Sequence, residues 1–277
     1  MKKNFLMLAL GALLLAACDQ IPEDEYTVFS GISATWSDGN GVAAVQRAYV
    51  EKYTGPQCIN CPMADQTIDA IHHTMGDKLV AVSINHFEGQ GKPFPGEIDL
   101  RTDGGTAWSK YFGINALPAA YVNRNTAKQY TGAMNDIAGA LQDAAAATPV
   151  VALDVNATLD AEGGIAIGVD LEMVQAYSNP MTLTLALIED SLRYKQLTPN
   201  DGIVDDYAHN HMLRDVLTDI WGIKVEAAGT QGEKRHAAFA TYRIKDESID
   251  PQNCHIVAFV SDKASRRVLN AAQCPIE

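Results

Sequence analysis

Cys58 and Cys61 stand two residues apart and are followed at once by Pro62. Two thiols at that spacing can close into a disulfide, or each can supply half of a tetrahedral zinc site. Zinc needs two further ligands. No second C-x-x-C occurs, and His72 and His73 would lie about 20 Å along the same helix at about 1.5 Å per residue. The redox reading asks only for a helix start. Pro62 suits a first helical turn, where its missing N–H has no partner to lose. A helix beginning there turns unpaired N–H groups and the positive end of its dipole toward Cys58, which favours thiolate. Cys61, one turn later, can reach the same sulfur and resolve a mixed disulfide. Cys58 is thus expected to attack and Cys61 to resolve.

A second pair lies far downstream. Residues 254–260 are rich in β-formers, residues 267–272 form a plausible return strand, and Ser261 to Ser265 read as a turn. A hairpin centred near residue 264 would set Cys254 opposite Cys274, and facing residues on antiparallel strands come close enough to bond. A structural disulfide closing a loop of about 20 residues would stabilise the chain by about 3 kcal/mol.

The elements around Cys58 fit the redox requirement. Val45 to Tyr53 reads as a strand and Thr54 to Gln57 as a turn. Met63, Ile68, Ile71 and Met75 fall near helical spacing, and Gly76 is a helix stop. Lys78 to Asn85 reads as a buried parallel strand. This strand, C-x-x-C and helix, with the run Trp108 to Asn123 containing Leu117-Pro118, resembles the thioredoxin-like superfamily. The resemblance implies a cis bond at Pro118, packed beside the Cys pair and shaping a substrate groove. It also implies a buried carboxylate as proton acceptor. Glu51 is the candidate, although it lies seven residues before Cys58 where six is the usual spacing. Gln57 stands where the superfamily has Trp, and Pro62 where Lys or Arg is often found.

Tyr53-Thr54-Gly55, the Cys-Ile-Asn-Cys-Pro run, and Tyr207-Ala-His-Asn-His-Met-Leu-Arg214 narrow the match. Together they resemble the Omp28-related outer-membrane lipoproteins. That resemblance implies a lipobox, a thioredoxin-like domain and a C-terminal β-domain in an envelope protein. His209 and His211 could share one strand face, but a metal site would need a further ligand.

The N-terminus agrees. A basic start is followed by an apolar run from Phe5 to Ala17, too short to span a bilayer as a helix, and then by Leu-Ala-Ala-Cys18. This reads as a lipoprotein signal over residues 1–17 with lipidation at Cys18. More than one acyl chain there would anchor the protein stably. Export permits disulfides. Residues 18–40 are expected to be a tether and 41–148 the thioredoxin-like α/β domain, closed by a helix from about Met134 to Ala147. After Thr148-Pro149, residues 149–277 alternate short apolar runs with turn signals, which suggests an immunoglobulin-like β-sandwich.

The formal net charge of −13, from 34 acidic and 21 basic residues, makes nucleic acid a poor partner. No Walker loop, dinucleotide fingerprint or serine nucleophile elbow occurs, so no cofactor or metal is expected. Two functions fit. One is thiol–disulfide exchange on envelope proteins that carry thiols or disulfides. The other is a non-enzymatic binding or adhesion lipoprotein at the outer membrane, in which the Cys pair is structural. Burial of Cys58 would favour the second.

Overall fold

The computed structural model describes residues 31–277. The signal segment, Cys18 and most of the tether lie outside the described residues. The chain is a mixed α/β fold, mostly β, with three α-helices among the described residues. Its first strand, β1 (Ala34–Asp38), falls where the sequence suggested tether. The correction has a simple cause. Ala34 and Trp36 alternate inward onto an apolar core, and the strand pairs along its length with residues 235–239.

β2 (Ala48–Thr54) and β3 (Leu79–Asn85) are parallel and buried throughout, joined by α1 (Cys61–Met75). Such strands read as continuous apolar runs because both faces are covered. α1 stops at Gly76, whose φ of 55° suits a residue without Cβ. α2 (Asp103–Tyr111) is capped by the Thr102 hydroxyl, which accepts from the Gly105 amide at 3.0 Å. β4 (Ala119–Val122) lies antiparallel to β2, and β5 (Tyr130–Thr131) pairs with β4. α3 (Ile137–Ala146) begins three residues later than the apolar pattern suggests, because Met134 adopts a left-handed φ of 54°.

The remainder is almost all strand. In chain order these are β6 (Val151–Leu159), β7 (Gly164–Met173), β8 (Met181–Glu189), β9 (Leu192–Thr198), β10 (Gly202–His209) and β11 (Met212–Val216). They continue with β12 (Ile223–Lys224), β13 (Lys234–Phe239), β14 (Tyr242–Arg243), β15 (Cys254–Asp262) and β16 (Val268–Pro275). A nine-stranded sheet runs β16-β15-β8-β11-β3-β2-β4-β5, with β12 beside β8. A five-stranded sheet runs β1-β13-β7-β14, with β6 beside β7. The hairpin β9–β10 belongs to neither. Strands from both sides of residue 149 therefore share one sheet, where β11 lies parallel to β3 with Met212 opposite Ser83.

Strand alternation sorts the cores. Leu183, Leu185 and Leu187 of β8 face the five-stranded sheet, meeting Leu153, Val169 and Leu171. Ala48 and Val50 of β2 face α1 and α3. On the opposite face, Tyr49 and Tyr53 meet Trp108 and Phe259. Each fully buried side chain of this size contributes about 1.5–3 kcal/mol.

Inside that aromatic core lies a charge pair. The Arg124 Nε donates to Glu51 Oε1 at 2.8 Å, and both side chains are fully buried. The hydroxyls of Tyr49 and Tyr53 donate to the same carboxylate at 2.8 and 3.1 Å. Burial and the Glu51 charge hold both phenols well above their ordinary pKa. Removing one partner strands the other charge. Arg124→Met is expected to lower stability by about 3–5 kcal/mol, and Glu51→Leu/Arg124→Met to recover most of that loss. Urea denaturation of the three proteins checks both outcomes.

Candidate functional site

β2 delivers the chain to the turn Gly55-Pro56-Gln57. Gly55 is required by close approach, since a Cβ there would lie 2.3 Å from the Gln90 carbonyl oxygen. The Cys58 amide donates to the Gly55 carbonyl at 3.0 Å, and the Cys61 amide to the Cys58 carbonyl at 3.1 Å. This tight turn brings the two Cα atoms to 5.4 Å, and the sulfurs are bonded as a disulfide. Cys61 is the first residue of α1, with Pro62 behind it, and Cys58 lies just outside the helix. Gln57, where a Trp would stand in the superfamily, ties down the neighbouring loop instead. Its side-chain amide donates to the carbonyls of Lys92 and Pro93 at 3.0 and 3.1 Å. The Leu117–Pro118 bond is cis. Pro118 immediately precedes Ala119, which pairs with Tyr53, so it sits at the same end of the sheet as the Cys turn.

The disulfide is covered. Cys58 is 1% exposed and Cys61 0%. The turn that carries it is gripped by the hairpin β9–β10, whose role the sequence reading did not identify. The Gln196 side chain donates to the Cys58 carbonyl at 3.1 Å, and the Leu197 amide donates to the Pro56 carbonyl at 2.8 Å. Farther along, the Tyr207 hydroxyl donates to Asp65 at 3.1 Å and the Asn210 amide to Asp69 at 3.2 Å, both on α1. The available signal was the period-two burial of Leu192, Tyr194, Gln196 and Thr198, followed by the turn Pro199-Asn-Asp-Gly202.

Glu51 is not the proton acceptor beside the cysteines. It shares its strand face with Tyr49 and Tyr53, away from α1. The residue six before Cys58 is Lys52, on the α1 face with Val50, and its ammonium is ion-paired with buried Asp65 one turn beyond Cys61. His209 packs into the same cluster, 7% exposed, with Nε2 lacking any partner. Burial pushes its pKa down to about 4, with Asp65 opposing and Lys52 reinforcing the shift. His211 stacks on His72 at 4.7 Å between Asp190 and Asp69, and burial lowers its pKa too. His209 and His211 do not share a strand. β10 ends at His209, and His211 turns the chain with a φ of 59°. Among the described residues no group of three or more His, Cys, Asp or Glu is arranged to hold a metal.

Cys254 and Cys274 are free thiols, which corrects the expected second disulfide. The turn is centred between residues 264 and 265, with Ser261 opposite Val268, and a β-bulge between Val260 and Ser261 shifts the register by one residue more, so Cys274 faces Ile256 and the Cys254 carbonyl accepts from the Ile276 amide. The two residues are then diagonal rather than opposite, a placement whose backbone spacing of about 7–8 Å exceeds the usual Cα separation across a disulfide. Burial pushes both up to about 12.

The family described as outer membrane protein Omp28 matches residues 105–277. That stretch includes Pro118 and the hairpin but begins after the Cys pair. HBP35 of Porphyromonas gingivalis has a similar fold, with a TM-score of 0.62 at 16% identity over 85% of this chain and 77% of that one. A protein from Agrobacterium tumefaciens aligns with a TM-score of 0.48 at 15% identity, over 83% and 94% of the two chains. A domain of the outer membrane lipoprotein Omp28 from Porphyromonas gingivalis gives 0.31 at 17% identity, over 47% and 89%. No curated protein matches the chain.

The thiol inventory is directly testable. Alkylation in denaturant without reductant is expected to label Cys254 and Cys274 and leave Cys58 and Cys61 unlabelled. In the folded protein at pH 8, labelling of Cys254 and Cys274 is expected to be slow, because neither thiol ionises. Peptide mass spectrometry reads both results.

Proposed function

The chain belongs to the outer membrane protein Omp28 family, and its place is the outer membrane; from that premise we propose a lipid-anchored binding protein whose Cys58–Cys61 disulfide is a covered structural staple. Anchoring rests on the lipobox ending at Cys18. The observation that carries the staple is burial of both cysteines at the turn that β9–β10 grips. Disulfide exchange requires a thiolate to reach one sulfur, and access is among the factors that set its rate. A sulfur beneath a hairpin offers no such approach, so the closed form acts through its surface and not through electron exchange.

The finer architecture follows the same reading. The order β2, α1, β3, then Pro118 and antiparallel β4, with α3 on the face of α1, supports a thioredoxin-like unit over residues 41–148. The five-stranded sheet packed on β8 and β15 supports a β-sandwich over residues 149–277.

A second reading, thiol–disulfide exchange with Cys58 attacking and Cys61 resolving, is favoured by one observation. The cover lies outside both sheets and reaches the Cys turn through polar contacts, so it is separable from what it covers. The two readings differ in reduction potential. Equilibration in thiol buffers followed by alkylation mass spectrometry is expected to give a value below about −300 mV, as structural disulfides do. A value between about −120 and −270 mV, the span of known oxidoreductases, would replace the staple with exchange.

A further inference from the structure

We infer that the β9–β10 hairpin is a hinged lid over the Cys58–Cys61 disulfide, opened by mild acid through protonation of His209. The inference rests on the covering of the pair and is independent of its reduction potential.

Three features make the hairpin separable. It pairs with neither sheet. Its feet are two left-handed residues, Ser191 with φ 60° and His211 with φ 59°, and the second is fixed to β3, its carbonyl accepting from the Ser83 amide at 2.7 Å. The Ser191 amide donates to Asn210 Oδ1 at 3.1 Å, and the His211 amide donates to Asp190 Oδ1 at 2.6 Å. Its grip on the Cys turn and α1 is polar: Gln196, Leu197, Tyr207 and Asn210 on the hairpin side, with the Lys195–Glu97 ion pair at 2.9 Å. Its apolar anchorage is one small cluster at the hinge end, Leu192 and Tyr194 with Leu100 and Met212; two strands alone are marginal in water, and segments held by few apolar contacts open first.

His209 supplies the trigger. Its neighbours are Tyr194 on β9, Tyr207 on β10, Asp65 on α1 and Lys52 on β2. The one carboxylate among them is already taken by the Lys52 ammonium and the Tyr207 hydroxyl. A proton on Nε2 would therefore place a second positive charge beside Lys52 with no acceptor of its own. Next along the chain, His211 faces Asp190, His72, Asp69 and Lys52, and His255 of β15 shares Asp190 at 3.4 Å. These carboxylates oppose the burial of His211, yet burial still holds it down to about 4, so the hinge carries a second acid-sensitive imidazole beside His209.

The sign is as follows. The closed state holds His209 neutral, with a pKa near 4 against about 6.5 when open, so closure is complete above the open value and weakens as pH falls toward 4. Between pH 7.5 and 5.5 the open fraction rises about tenfold.

The test uses the full-length lipoprotein in detergent at those two pH values. Two rates are read: hydrogen exchange at the Leu197 amide, corrected for its intrinsic rate, and reduction of Cys58–Cys61 by a phosphine, normalised to oxidised glutathione. Both are expected to rise about tenfold on acidification, while β15 amides stay protected. In His209→Leu the acid step should shrink in both, to what His211 at the hinge supplies. Gln196→Ala, which loses the bond onto Cys58, should raise both at pH 7.5 and keep the acid step, so the idea stays open to refutation if His209→Leu does not fold. The inference is overturned by a missing acid step, by one undiminished in His209→Leu, or by β15 losing protection in parallel, which would mean global unfolding. A potential outside the structural range would revise the proposed function and leave the lid intact.

Discussion

The strand that leads into the candidate site is pinned by one buried charge pair. Glu51 sits in the middle of β2, the strand that both carries the Cys turn and lies between β3 and β4. Arg124 reaches it from the end of β4, stacked between Trp108 of α2 at 4.5 Å and Phe259 of β15 at 4.7 Å. Such a pair adds little net stability, because desolvating both ions offsets most of their attraction. What it supplies is position. Apolar side chains of the same volume would fill the space without requiring that four elements meet at one point. The adjacent Asn123 extends the junction. Its side-chain oxygen accepts from the Tyr49 amide at 2.8 Å, and its carbonyl accepts from the Val268 amide at 3.0 Å, tying β2 to β16.

That junction explains how much of the site could be read from the residues alone. The Cys pair, Pro62 behind it, the Gly76 stop and Pro118 are local signals, and each marks its place without reference to the rest of the chain. The buried ionisable groups of β2 are different. Glu51 and Lys52 are adjacent, and in a strand adjacent side chains point to opposite faces. Which one meets α1 depends on which face of the sheet the helix covers, a tertiary fact. Distance along the chain to Cys58 favoured Lys52; charge type favoured Glu51; the fold chose Lys52. The second disulfide failed for a related reason. Register in a hairpin is set by its turn and its bulges, and here the turn centre and one bulge at Val260 each moved Cys254 one residue away from Cys274.

The hairpin over the disulfide escaped notice because its inward face is mixed. Leu192 and Tyr194 are apolar, but Gln196 and Thr198 occupy the same face nearer the Cys turn. A search for apolar alternation loses the strand where it becomes relevant. The Tyr207 to Arg214 run was visible as a motif without a role. It now has one as a hinge. Tyr207 and His209 belong to the cover, Asn210 and His211 hold its foot, and Arg214 of β11 is fastened to buried Glu189 at 2.5 Å.

The cover also does not depend on what it covers. Its contacts at the Cys turn end on main-chain carbonyls, those of Pro56 and Cys58, which any residue would offer. Its contacts on α1 end on Asp65 and Asp69, which are not cysteines either. The family match begins after the Cys pair and contains the whole hairpin. The hairpin thus belongs to the matched stretch, while the groups it grips, Pro56, Cys58, Asp65 and Asp69, precede it. A pair of sulfurs under a self-sufficient cover can serve as a staple while the cover stays shut. Its chemistry is then set less by the helix terminus beside Cys58 than by the groups that hold the hairpin down.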